Sequence, residues 1–398
     1  MERNVQLRRE LLAEVEAVAP TLAEHAADSE GLARLNAPSI EALRKTRLLR
    51  FICPKERGGD EADPVTHLEI IEALAKIDGS AAWSVGILAA TSMIVAAFLP
   101  PASGKKIFAS RVPPMAGMLG PRGRAQPVDG GYRVGGTWSF GSGIHHADWV
   151  LASPVVPGEP LPAAVRVVVL PRNQVVIHDN WQVAGLKASG SCDYSTDDVF
   201  VPEEMTFRFT DMLSGAAVAG GAALKLGSPA LIMPIHFGIA LGVARRALDE
   251  VTVQAIEKSR GVPPSLLVTQ AQFQFALGKA ELELASARAL AIAVMSAAWE
   301  QAATGSVPPP AMQAEVRAAA SYVTEVAQRV TTVAFQAAGG GALFDTNPLQ
   351  RCFRDIYAAG QHFMMSQSSF RALGQFSADE ICDEDIVLLG AQGLQRAL

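Results

Sequence analysis

Apolar positions change their period twice along the chain. From Pro64 to Ala75 they recur every three or four residues, which predicts an amphipathic helix. Upstream, Ser39 stands as a natural N-cap for a helix starting at Ile40, and the proline and glycines of Cys53–Gly59 predict a loop. Gly79 to Gly104 carries no charge. Its serines, threonine, alanines and the Pro100-Pro101 pair favour a buried helix over a membrane span. The period shifts to two after residue 112. Short runs around Tyr132–Phe140, Trp149–Val156, Val165–Leu170 and Asp198–Pro202 are strand-like, and Asp129-Gly130-Gly131 marks a hairpin. Long helical patterns return at Ile235–Lys258, Val268–Thr304 and Pro310–Ala338, with Pro263-Pro264 as a break. The pattern therefore predicts a mostly α chain with one β domain. Its parts are an N-terminal helical domain over 1–111, a central β-barrel or sandwich over 112–210, and a C-terminal four-helix bundle over 211–398.

Composition narrows the class. The chain has 398 residues, 49% hydrophobic and 19% charged, which excludes a disordered protein. A net charge of -6 leaves no basic field for nucleic acid. Four scattered cysteines without a CxxC pair fit a reducing cytoplasm and no structural zinc site. The first sixteen residues lack the apolar stretch of a secretion signal.

Two segments carry chemistry. The first is Trp138-Ser-Phe140-Gly-Ser142-Gly143-Ile-His145-His146-Ala-Asp148-Trp149. Its small residues and hydroxyls crowd a turn between strands, and such a turn can lay N–H groups and a hydroxyl against a flat heterocycle. Adjacent strand histidines point to opposite faces, so His145 and His146 are not expected to share a metal, and none is expected. The second segment runs from Gly339-Gly340-Gly341 to Arg351, Arg354, Asp355 and His362. Glycine permits close backbone approach, arginine suits phosphate or a structural carboxylate, and histidine moves protons near neutral pH. On a helix from about Leu349, Asp355 and His362 would share one face, and the arginines could pair with Asp355 or Asp345.

The order of domains, the Trp-x-Phe-x-Ser-Gly turn, the Trp181…Gly185-Leu186…Ser189-Gly-Ser191-Cys-Asp193 run and the Arg-Asp-(six residues)-His segment together resemble the acyl-CoA dehydrogenase fold. The likeness is to its flavin-dependent monooxygenase branch. It implies reduced FMN or FAD and O2 as cosubstrates, reacting through a C4a-hydroperoxyflavin. The substrate would be an aromatic or heteroaromatic small molecule, and a separate NAD(P)H:flavin reductase would supply the flavin, since no Gly-x-Gly-x-x-Gly fingerprint is present. It also implies a cytoplasmic homotetramer with no membrane or nucleic-acid partner.

By residue, the resemblance places Ser142 at flavin N5 and His362 as the proton-handling group. Trp138, Phe140, Gly143, Ser191, Gly339, Gly340 and Arg354 would bind cofactor, and Thr91, Met118, Leu119 and Phe363 would wall the substrate. A histidine common in phenol hydroxylases of this kind is replaced here by Thr91. A dehydrogenase would instead need a carboxylate base. Ile356–Ala378 contains none, leaving only Glu250 or Glu257 for that alternative; a non-catalytic flavin-binding assembly protein is the third.

Overall fold

The computed structural model describes residues 2–378. The chain starts with six helices: α1 (Glu2–Glu24), α2 (Ala26–Gly31), α3 (Ala37–Arg44), α4 (Pro64–Ile77), α5 (Gly79–Phe98) and α6 (Pro101–Ile107). Asn36, not Ser39, caps α3: its side chain accepts from the Ser39 N–H, so the helix starts one turn earlier than expected. Asp63 caps α4 in the same way, with a proline in the first turn. Asp78 ends α4 and caps α5 through the Ala81 N–H at 2.7 Å. In α5 every residue but Ile87 is buried, which accounts for its uncharged sequence. By length and composition α5 and the later helix Ala271–Ala303 could each cross a membrane, yet 94% of the apolar stretch of α5 is buried within the protein.

The β region forms two four-stranded sheets. One has the order β1 (Met115–Gly117), β4 (Trp149–Ala152), β5 (Arg166–Pro171), β8 (Thr206–Arg208). The other has the order β2 (Arg124–Val128), β3 (Gly131–Gly141), β7 (Cys192–Pro202), β6 (Val176–His178). The Asp129-Gly130 hairpin joins β2 to β3 as expected, with Val128 opposite Gly131. The β3–β7 register slips between Trp138 and Gly141: Trp138 faces Tyr194, but Gly141 faces Cys192. Two residues, Ser139 and Phe140, thus oppose one, which is a β-bulge.

The rest is helical: α7 (Phe209–Leu213), α8 (Met233–Glu257), α9 (Ala271–Ala303), α10 (Pro310–Ala338), α11 (Pro348–Ala359) and α12 (Ser368–Ser377). A short hairpin of β9 (Ser259–Arg260) and β10 (Ser265–Leu266) occupies the Pro263-Pro264 break. Helix α8 packs on α4, α10 and α11, and α10 on α9. Close α4–α8 contact needs Gly238 and Gly242, where a Cβ would run into the α4 backbone. Arg288 of α9 reaches Glu69 and Glu72 of α4 at 2.9 Å, tying the bundle to the N-terminal helices. Residues 379–398, including Cys382 and the end of the predicted C-terminal domain, lie outside the described residues.

Candidate active site

The β3 bulge builds the first half of the site. Phe140, the extra residue, adopts φ +66 and is 61% exposed, an uncommon posture for a large apolar side chain. Its ring meets only the edge of Trp181 among aromatic neighbours within the described residues. Trp138, two positions earlier, is fully buried and stacked on Tyr194 at 5.7 Å. It is core, and the expectation that it touches a cofactor is corrected: the bulge sends the two aromatic side chains to different environments.

Just past the bulge, Ser142 is 5% exposed. Its hydroxyl accepts from the Trp83 Nε1–H at 3.0 Å and shares a hydrogen with Ser191 Oγ at 2.7 Å; Ser191 in turn meets Ser189 Oγ at 2.8 Å. A hydroxyl has one hydrogen and two acceptor sites, so Ser142 retains capacity for one more partner. Gly143 follows at φ +71 and donates to Ser189 O at 2.8 Å.

The second half comes from the C-terminal segment. Helix α11 stops at Ala359, so His362 sits in the following turn and does not share a helix face with Asp355 as expected. Buried Arg317 of α10 fixes that turn, donating to Met364 O at 3.2 Å and to Phe363 O and Ser366 Oγ. The Met364 N–H points to His362 Nδ1 at 3.4 Å, which leaves the proton of the neutral ring on Nε2. Burial, then the Arg317 guanidinium, pushes His362 down to about 4, so it is uncharged at neutral pH.

Trp83 joins the halves. Its N–H holds Ser142, while its ring lies edge-on to His362 at 5.9 Å and to His236 at 5.7 Å. His236 and His362 are 4.5 Å apart between ring centres. The sequence singled out neither Trp83 as a donor nor His236. The one available signal was an isolated histidine among apolar residues at the start of α8.

Asp355 belongs to the same framework. Its Oδ1 accepts from Leu186 N at 2.6 Å, clamping the turn that leads to Ser189 and Ser191. Burial, then the neighbouring Asp78 carboxylate, raises it to about 7. Arg351 and Arg354 pair with Glu30 of α2 at 3.1 and 2.9 Å, not with Asp355 or Asp345. Arg354 also donates to Ala184 O at 2.7 Å and Gln350 Oε1 at 2.7 Å. All three of its nitrogens bond within the chain. These arginines line one wall of a surface cleft of about 560 Å³ with Glu30, Phe335 and Leu343, away from His362.

The glycine triplet lies at the end of α10. Lys258 Nζ donates to Ala338 O, and the Arg260 guanidinium packs so close to Gly339 (φ +61) that a Cβ would overlap it. Gly340 has open space around it. Gly339→Ala is therefore expected to cost about 1–3 kcal/mol in urea unfolding, whereas Gly340→Ala is expected to change little; equal effects would contradict this packing.

The substrate candidates differ in setting. Thr91 is buried on α5, two turns beyond Trp83, while Met118 and Leu119 are half-buried after β1. The Met118 N–H donates to Tyr194 Oη at 2.9 Å. Phe363 is 53% exposed beside His362.

His145 has a carboxylate and a cysteine beside it. Its Nε2 lies 3.2 Å from Asp179 Oδ1 and 3.5 Å from Cys192 Sγ. Arg34, however, donates toward Nδ1 at 3.3 Å. Nδ1 is then the acceptor and Nε2 carries the hydrogen, so a shared N–H bond accounts for this trio without an ion.

Residues 235–367 match the family profile described as acyl-CoA dehydrogenase, C-terminal domain. The chain is 29% identical over 338 residues to indole-3-acetate monooxygenase of Pseudomonas putida, covering 84% of this chain and 85% of that protein. It is 28% identical to the flavin-dependent monooxygenase oxygenase subunit HsaA of Rhodococcus jostii, covering 87% and 92%. In fold it matches XiaF from Streptomyces sp., solved in complex with FADH2 and glycerol, at a TM-score of 0.87 and 24% identity over 96% and 98% of the two chains. Residues 235–367 therefore match the acyl-CoA dehydrogenase C-terminal domain, and the chain as a whole has that fold and is similar in sequence to flavin-dependent monooxygenase oxygenase components.

Proposed function

We propose that the chain is the oxygenase component of a two-component flavin-dependent monooxygenase acting on an aromatic or heteroaromatic small molecule. The observation that carries this is the line Ser142–Trp83–His362: a hydroxyl and a neutral imidazole held on one indole, with no carboxylate between them. The residues fit a flavin. Phe140 offers an exposed apolar ring two positions from the Ser142 hydroxyl, and separately Lys258 and Arg260 place two cations beside Gly339 and Gly341, a setting suited to a phosphate. When bound, reduced FMN or FAD supplies two electrons to O2, so that one oxygen atom enters the substrate and the other leaves as water.

The chain's own residues set the conditions. Ser142, anchored by the Trp83 N–H, keeps one hydrogen-bonding position for the ring nitrogen at flavin N5. His362 presents Nε2–H and donates it as a hydrogen bond to the substrate's polar atom. Buried α5 keeps water from the side of the site that Trp83 forms. The dehydrogenase alternative lacks its base: Asp355 is turned to Leu186 N, Glu250 lies 3.7 Å from Arg246, and Glu257 is exposed.

Assembly as a cytoplasmic homotetramer, supplied by a separate NAD(P)H:flavin reductase, completes the proposal. Exposed Phe275 and Leu282 on α9 support the assembly. The test is product analysis with a panel of phenols and indoles, a flavin reductase, NADH and ¹⁸O2. One ¹⁸O atom in the product is expected. Bleaching of bound oxidised flavin by an acyl-CoA without reductase would replace this proposal with the dehydrogenase.

A further inference from the structure

His236 has no role in the scheme above, yet it is a polar ring in a place that should exclude one. It is 5% exposed at the start of α8, between Ile235 and Phe237, which are 1% and 0% exposed. Its ring contacts are Trp83 and His362, and neither of its nitrogens has a hydrogen-bond partner among the described residues. A buried imidazole without a partner is costly, and a leucine or phenylalanine would pack there at no such cost. Burial and the neighbouring His362 both hold it neutral.

The two imidazoles define the chemistry of a ligand. His362 has Nδ1 engaged with Met364 N and offers Nε2–H. Neutral His236 offers one hydrogen and one acceptor. Together they match an atom that both donates and accepts, such as a phenolic hydroxyl, or a ring N–H that donates to His236. The nearest cation, Arg317, is committed to Met364 O, Phe363 O, Ser366 and Ser368. Trp83, His236 and His362 carry no charge to pair with a ligand's, and Arg317, whose charge is felt at His362, has its bonds turned to the neutral groups of its own turn.

We propose that His236 is a substrate-binding residue. It hydrogen-bonds the polar atom of an uncharged hydroxy- or N–H-bearing aromatic, a class from which aromatic carboxylates are excluded. This group takes over, from α8, the task that the resembled phenol hydroxylases give to the position held here by Thr91. The proposal rests on the oxygenase reading for its reaction, but binding is measurable without flavin.

The experiment titrates the flavin-free protein with phenol, indole and indole-3-acetate by calorimetry, in wild type, His236→Phe and His236→Gln. Wild type is expected to bind phenol or indole at least about tenfold more tightly than indole-3-acetate. His236→Phe, which keeps the ring and removes its nitrogens, is expected to weaken that binding about tenfold or more; His236→Gln, which restores a donor and an acceptor, is expected to recover part of it. With reductase present, His236→Phe raises KM by a similar factor while kcat changes less than about threefold. Equal binding by wild type and His236→Phe overturns the proposal, as does tighter binding of indole-3-acetate or failure of wild type to bind either uncharged probe. His236-dependent binding without oxygenated product would leave the proposal standing and remove the oxygenase reading instead.

Discussion

His362→Ala is expected to lower oxygenated product per reduced flavin consumed by about 10²-fold or more, with the missing oxygen recovered as hydrogen peroxide. The turn carrying His362 does not depend on its side chain. Arg317 holds the backbone just after it, and the one bond the imidazole accepts, from Met364 N, is long at 3.4 Å. The variant should therefore fold, and the loss should appear in coupling. Ser142→Ala is expected to act in the same direction but also to destabilise by about 1–3 kcal/mol, because the buried Trp83 N–H loses its acceptor. Peroxide and product are measured together against reduced flavin supplied. Wild-type coupling in both variants would remove the Ser142–Trp83–His362 line from the mechanism.

The second large effect is acid unfolding. Five histidines are held below the ordinary 6.5 by burial: His67 at about 3, His146 and His362 at about 4, His236 well below, and His145 lowered as well. Below pH 6.5 each takes up a proton in the unfolded chain and not in the folded one. Their contribution is thus complete above pH 6.5 and is lost as pH falls toward the folded values, at about 1.4 kcal/mol per pH unit each. Asp355 acts oppositely. Raised to about 7, it is protonated in the fold while the unfolded carboxyl is still ionised, so it returns about 1.4 kcal/mol per unit over pH 7 to 4. Asp60 and Asp78 are raised too and add to the same side. Five lowered histidines against three raised carboxyls leave stability falling as pH drops from 6 to 5, and unfolding should become easier over that window. Urea midpoints at pH 7, 6 and 5 measure it. His67 isolates a single site, since its Nε2 has no partner and its ring lies edge-on to Phe51. His67→Leu should flatten the slope by about one proton; an unchanged slope would show that His67 is not held neutral by the fold.

Much of the architecture was legible because breakers and caps are local. Pro310 and Gly339 flank α10 as the sequence indicated, and Asp129-Gly130 forms its hairpin. The central site was half legible. Ser142 and His362 stood out by motif, but what joins them left no spacing signal: Trp83 is 59 residues from Ser142, and Glu30 is 324 from Arg354. Charge at helical spacing suggested local pairs for Arg351 and Arg354, whereas the fold offered a better carboxylate on α2. Helical periodicity also carried α11 past Ala359, where the chain in fact turns under Arg317.

The slipped register of β3 has a consequence for engineering this hairpin. In an unbroken strand, positions 138 and 140 would point the same way, and both rings would compete for one space in the interior. The added residue reverses the parity, so the indole stays inside while the phenyl ring emerges with a hydroxyl two positions on. Shortening the strand by one residue would swap inside for outside without altering any side chain's chemistry. The length of this strand is therefore as much a determinant of the site as the identity of any residue within it.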